Sequence, residues 1–352
     1  MSIEIIGMVG TQEVSESRGS LDGPQIDPGY LTRFARAHEA AGFDRVLIGY
    51  GATGADGFAV AGHVLHHTSA LKVLIAHRPG FVAPTLVARK LATLDQLTGG
   101  GRVAIHHITG GDELDQKRDG DFADHDRRYV RTGEFMGLLR RELTATEPFD
   151  FQGEFYKVAG AYSSVRPPAG GIPLYFGGAS AAAERVAAAE ADVQLFWGEP
   201  LDGVRERIER LKSLSGELGR EHPPLEFGLR VTTLVRDTSE QAWADAEAKV
   251  ADMARAQGTF PRDSNWQAAT GQQRLVKLAA RGEVLDDNLY TTPGKFGGEG
   301  AATTWLVGSA QDVARSLRKY ASLGITHFVL SDTPYLREIK RQGEDLLPLL
   351  RG

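Results

Sequence analysis

Residues 173–200 read PLYFGGASAAAERVAAAEADVQLFWGEP. Leu174 to Phe176 form a short apolar run with strand character. Gly177 and Gly178 make a corner, Ser180 is a helix-capping residue, and the alanine-rich run after it favours a helix. A second apolar run, VQLFW, then restores strand character. A strand, a helix and a strand in this order make a parallel pair joined by a helical crossover. When such units close into a barrel, ligands bind at the C-terminal ends of the strands, and a phosphate often docks on a helix N-terminus late in the chain. Glycine lets the backbone approach a ligand closely, and the free N–H groups and dipole of the helix start favour an anion. A plain turn capped by Ser180 accounts for the same letters, so the motif alone leaves both readings open.

The pattern repeats on either side of this stretch. Upstream, IEIIGMV precedes a helix over Pro28–Ala41, DRVLIGY one over Asp56–His67, LKVLIAH one over Ala83–Leu97, and RVAIHHITG one from Asp124 to Thr144. Downstream, helix Leu201–Leu218 leads to FGLRVTTLV, a helix from Glu240, a helix over Gln311–Leu323 and the closing run HFVLS. Eight strands alternating with helices predict a single (β/α)8 TIM barrel of class α/β spanning residues 1–352. Two segments break the rhythm. Residues 146–173, with FDFQGEFYKV, predict a hairpin packed on the barrel rim. Residues 258–308, rich in Gly, Thr, Asp and Asn, predict a mobile lid.

The composition fits this class. Of 352 residues, 41% are hydrophobic and 24% charged, ample for a large core. The net charge of -6 carries no long block of either sign, which argues against nucleic acid or anionic lipid as partner. The sequence shows no apolar run of the ~20 residues that a membrane helix needs, and a cytoplasmic location is expected. With no cysteine, thiolate chemistry is excluded. A small molecule is the expected partner.

Other polar residues stand at strand ends. His106 and His107 are adjacent in a strand, so their side chains point to opposite faces, and one of them can face a site while the other packs under the helices. Asp124 opens the next helix, with Tyr129 inside it. His77 and Arg78 end IAHRPG. His63, His66 and His67 share one helix face in HVLHH, but a zinc site needs a further ligand and an open position that the sequence does not supply.

The ordered motifs ITGGD, DHDRRY, YFGGAS, FWGEP, FGLRVTTLVRD and VLSDTPYLREI resemble the bacterial luciferase-like superfamily of flavin-dependent monooxygenases, most closely its alkanesulfonate monooxygenase branch. The resemblance covers nearly the whole chain. It implies a barrel that binds reduced FMN delivered by a separate NAD(P)H:flavin reductase and activates dioxygen as a flavin C4a-peroxide. It implies the flavin phosphate at Gly178, Ala179 and Ser180 with Tyr129 beside it. His106 is implied against the flavin ring, where many relatives carry asparagine, and Thr109 completes the cofactor set. Arg230, His107, His77 and Thr232 are the candidate catalytic residues, with no metal, and a homodimer or homotetramer is the expected assembly. An F420-dependent oxidoreductase of the same superfamily and a non-catalytic flavin-binding protein are the alternatives.

The chain also departs from the alkanesulfonate pattern. Gly54 stands where that branch has cysteine, Thr232 where it has histidine, and Thr333 where it has tyrosine, with Tyr335 close by. Lys295 and Glu299 occupy the region of a mobile-loop arginine. Arg230 is kept, and with Arg78 it forms the expected anion-binding pair, since a guanidinium offers two parallel donors to an oxyanion. A salt bridge on the rim is the competing role for Arg78. Gly54, Thr232 and Thr333 are smaller or uncharged replacements, so the expected substrate is an organosulfonate or related organosulfur compound bulkier than a short alkanesulfonate.

Overall fold

The structure, a computed structural model, describes residues 3–13, 25–110, 113–168, 171–256, 270–296, 303–331 and 335–351. Its first half runs β1 (Glu4–Met8), α1 (Pro28–Ala41), β2 (Arg45–Ile48), α2 (Gly57–His67), β3 (Lys72–His77), α3 (Pro84–Leu97) and β4 (Val103–Ile108). Helices α4 (Glu113–Arg118) and α5 (His125–Thr144) follow, then the hairpin β5 (Phe149–Gln152) and β6 (Lys157–Ala161). The second half holds β7 (Leu174–Gly177), α6 (Ala181–Glu190), β8 (Val193–Trp197), α7 (Leu201–Glu217), β9 (Glu226–Arg236) and α8 (Ser239–Ala256). After it come α9 (Thr270–Arg281), β10 (Val284–Leu285), β11 (Leu289–Tyr290), β12 (Trp305–Ser309), α10 (Ala310–Ser322), β13 (Ile325–Ser331), α11 (Leu336–Arg341) and α12 (Leu347–Arg351).

Strands β1, β2, β3, β4, β7, β8, β9 and β13 pair in that order, and β13 returns to β1, closing a parallel barrel of eight strands. These are the eight runs read in the sequence, and the helices between them are the predicted crossovers. Their ends follow the local chemistry. Asp27 caps α1 ahead of Pro28, and Gly42 ends it at φ 84°, a left-handed value natural to glycine. Asp124 caps α5 by accepting from the Arg127 N–H, and Ser309 and Asp312 form a capping box on α10.

Alternation along each strand sorts the side chains into two cores. Phe34, Val46, Ile75, Ile105, Phe135, Phe176 and Leu229 lie between barrel and helices. Ile6, Leu47, Leu74, Ala76, Ala104, Tyr175, Leu195 and Val329 fill the barrel itself. A polar floor lies under this interior. Arg45 reaches Glu4 at 2.5 Å and lies 5.8 Å from the Tyr175 ring centre.

The inserted segments differ in part from expectation. The β5–β6 hairpin packs against α5, where Glu134 accepts from the backbone N–H groups of Glu154, Phe155 and Tyr156. The expected lid, residues 258–308, lies only partly within the described residues. Residues 258–269 and 297–302 lie outside the described residues, and the rest is regular structure. Helix α9 buries Leu275, Leu278 and Ala279. Strand β12 pairs with Thr232–Arg236 of β9, beyond the Glu226–Arg230 stretch taken by β8, and β11 and β10 extend it antiparallel. The polar composition hid a buried strand around Trp305, which is 0% exposed.

Candidate functional site

Strand alternation carries His106, Gly177, Trp197 and Arg230 to the inner face of four consecutive barrel strands, near their C-terminal ends. His106 is buried, and its Nδ1 has no hydrogen-bond partner among the described residues. Burial, helped by the positive charge of Arg230, lowers its pKa to about 3, so the ring is neutral across the physiological range. The Arg230 guanidinium stands 5.8 Å from the Trp197 ring centre. Thr232 follows on the same face of β9 and is buried. Trp197 belongs to the FWGEP motif, but its letters alone do not say which way its side chain faces.

The glycine corner lies one strand along. Ser180 caps α6 by accepting from the Ala183 N–H at 3.2 Å. Tyr129, rising from α5, is 7% exposed, and Ser180 stands beside its hydroxyl. Burial raises its pKa, so it remains a neutral hydroxyl. A Cβ on Gly178 would meet the Ala183 Cβ at 2.5 Å and the Tyr129 hydroxyl at 3.4 Å, so only glycine fits there. Among the described residues no group accepts from the Ala179 N–H. Two hydroxyls and a backbone N–H thus collect beside a helix start, a donor set suited to a phosphate monoester.

Other sequence-predicted residues lie elsewhere. His77 and His107 face away from the barrel interior: their rings lie 5.5 and 5.7 Å from that of Phe135 on α5. His107 Nδ1 sits 3.3 Å from the Tyr175 carbonyl. Both are buried in the helix layer behind the barrel wall, so the expectation that they join the catalytic group is corrected. Thr109 bonds to α5, its hydroxyl 3.0 Å from that of Thr132, one turn from Tyr129.

Arg78 takes the competing role. Its Nη2 binds Asp115 of α4 at 2.6 Å, its guanidinium lies 4.6 Å from the Tyr50 ring centre, and the Tyr50 hydroxyl donates to Asp119 at 2.6 Å. With its charge met by α4, Arg78 does not form the anion pair expected with Arg230. The α4 carboxylates could not be assigned to it from sequence, because the short helix carries no apolar period.

The histidines of α2 are held by their neighbours. His63 Nε2 lies 2.8 Å from the Thr32 hydroxyl, and His67 Nδ1 lies 2.9 Å from the His63 carbonyl. Among the described residues no group of three or more such side chains is placed to hold a metal ion. Gly54 is exposed in the loop after β2, and Lys295 is exposed in a short helical turn. Tyr335 lies 4.3 Å under Arg337, whereas Glu299 and Thr333 lie outside the described residues. No described helix is long and apolar enough to cross a membrane.

Beneath the corner lies a buried ionic cluster that the sequence reading did not find. Arg207 of α7 reaches Glu184 at 3.2 Å and Glu199 at 3.0 Å, and Glu199 also accepts from Arg274 of α9 at 2.9 Å. The i, i+8 relation of Glu199 and Arg207 crosses a helix start, which no periodic pattern announces.

Solved structures share this architecture. A long-chain alkane monooxygenase is 15% identical with a TM-score of 0.78, the match covering 100% of this chain and 91% of that one. The oxygenating constituent of 3,6-diketocamphane monooxygenase from Pseudomonas putida, solved with FMN, is 15% identical with a TM-score of 0.73 and 99% coverage of both chains. An F420-dependent secondary alcohol dehydrogenase is 18% identical with a TM-score of 0.72 and 100% coverage of both. At these identities the likeness establishes the barrel. The sequence model of the luciferase-like monooxygenases matches residues 8–327. Barrel, strand order and this match over most of the chain agree: the protein belongs to the luciferase-like monooxygenase family.

Proposed function

We propose that this protein is the oxygenating component of a two-component flavin-dependent monooxygenase, using reduced FMN from a separate NAD(P)H:flavin reductase to oxidise a small organosulfur compound. The observation that carries the reading is the convergence of Tyr129, Ser180 and the Ala179 N–H on a corner that only glycine fits, one strand from a buried neutral His106. When bound, reduced flavin supplies the electrons and the carbon centre that activate dioxygen. The chain's own residues bind, orient and shield it. Tyr129 and Ser180 offer hydroxyls to the phosphate, and the start of α6 favours its negative charge. His106 presents an unpaired ring nitrogen within the barrel, suited to a hydrogen bond with the polar edge of the flavin ring.

Arg230, beside Trp197, is the proposed contact for an anionic or oxidised-sulfur group on the substrate. With Arg78 engaged by Asp115, a single guanidinium serves this role. An organosulfonate is the first substrate class, with carbon–sulfur cleavage releasing sulfite, and a sulfone is the second. The enzyme is proposed to act as a homodimer or homotetramer in the cytoplasm.

Titration with FMN, reduced FMN and F420, followed by rapid mixing with aerated buffer, tests the cofactor. Tight binding of reduced FMN and an oxygen-dependent change in flavin absorbance are expected. Binding of F420 alone, with no reaction with oxygen, would replace this reading with an F420-dependent oxidoreductase. Flavin binding without turnover of any sulfonate or sulfone would leave a flavin-binding protein.

A further inference from the structure

The Gly178 carbonyl accepts two hydrogen bonds from buried side chains, Arg207 Nη2 at 2.9 Å and Gln194 Nε2 at 3.0 Å. Arg207 is 2% exposed and Gln194 0%. The peptide linking Gly178 to Ala179 is trans, like every other described peptide, so its C=O and N–H point in opposite directions. A carbonyl drawn inward by two donors therefore turns the Ala179 N–H outward, to the corner where Tyr129 and Ser180 converge. Two glycines in succession would otherwise leave this peptide free to rotate. A rotated peptide would present its carbonyl dipole to an anion and repel it.

We propose that Arg207, seconded by Gln194, is a positioning residue for the cofactor phosphate, acting through the Gly178 carbonyl to aim the Ala179 N–H at it. The inference rests on the phosphate reading of the corner given above. Arg207 does not act as a free charge, because Glu184 and Glu199 lie 3.2 and 3.0 Å from it and the Phe196 ring centre lies 4.4 Å from its guanidinium. What it contributes is the direction of one peptide dipole. The same Glu199 accepts from Arg274, so α9 is tied to the group that sets the corner.

The experiment compares oxidised FMN with riboflavin, which lacks the phosphate, by fluorescence quenching on the full-length protein. Wild type is expected to prefer FMN. Arg207→Lys and Gln194→Met are each expected to weaken FMN binding about tenfold, with riboflavin affinity unchanged. Gln194→Met leaves the ionic cluster whole, so it carries the test even if the Arg207 variant does not fold. Equal weakening of both ligands would show a merely structural role and overturn the proposal, as would unchanged FMN affinity in folded Gln194→Met. Equal wild-type affinity for FMN and riboflavin would instead overturn the phosphate reading of the corner, and this proposal with it.

Discussion

A Cβ placed on Gly177 would stand 3.0 Å from His106 Cε1 and 3.1 Å from its Nε2. The two residues lie on paired strands, β4 and β7, and the imidazole occupies the space that a side chain at 177 would need. Gly177 thus sets the place of the ring proposed to meet the flavin.

Gly177→Ala is accordingly expected to displace His106 and cost about 1–3 kcal/mol of stability through overpacking. His106→Asn removes the ring, and the added methyl then has room. The double variant should recover most of the loss, giving a coupling of roughly 1 kcal/mol in a urea-denaturation cycle. Strictly additive losses would show that the two residues do not compete for space.

Four buried histidines make stability depend on pH. Burial lowers the pKa of His38 and His106 to about 3 and that of His77 to about 4, and holds His107 well below the ordinary value. The unfolded chain binds protons below about pH 6.5 that these folded rings refuse. Their stability contribution is therefore complete above that pH and falls as the solution is acidified towards the folded values. Between pH 7 and pH 5 His38, His77 and His106 each account for about 2 kcal/mol of loss. His77→Leu should flatten the slope of unfolding free energy against pH by about one proton; an unaltered slope would mean that His77 is not held neutral.

Tyr129→Phe removes the hydroxyl that meets Ser180. It should raise the dissociation constant for FMN about tenfold with little change in melting temperature. Ser180→Ala loses the cap of α6 as well as a ligand donor, so it should lower stability by about 1 kcal/mol in addition to weakening FMN. Calorimetry and equilibrium titration of both variants separate the two effects. Full FMN affinity in Tyr129→Phe would remove the hydroxyl from the proposed phosphate site.

Arg230→Met takes away the positive charge that helps to keep His106 neutral. The His106 pKa should rise from about 3, visible in ring-proton chemical shifts on titration. Turnover of the best sulfonate should fall roughly ten- to a hundredfold in kcat/KM, the worth of a charge-assisted hydrogen bond. Retained turnover would move the substrate anion away from Arg230.

The sequence by itself determined the barrel. Eight apolar runs alternating with amphipathic helices admit few other closed arrangements, because parallel strands need crossovers and each helix must bury its apolar stripe. The glycine corner and its capping Ser180 were legible for the same reason: they are local, set by backbone freedom and one hydrogen bond. Periodicity also required that only one of His106 and His107 face inward. Which of the two does so was decided by how β4 sits between β3 and β7, a register that single strands do not encode. Residues distant in sequence were likewise beyond local reading. Asp115 claims Arg78 across 37 positions, and Arg274 meets Glu199 across 75. Charged groups pair with whatever opposite charge the fold brings near, so only the folded chain turned Arg230 to the barrel interior, committed Arg78 to α4 and set Arg207 behind the corner.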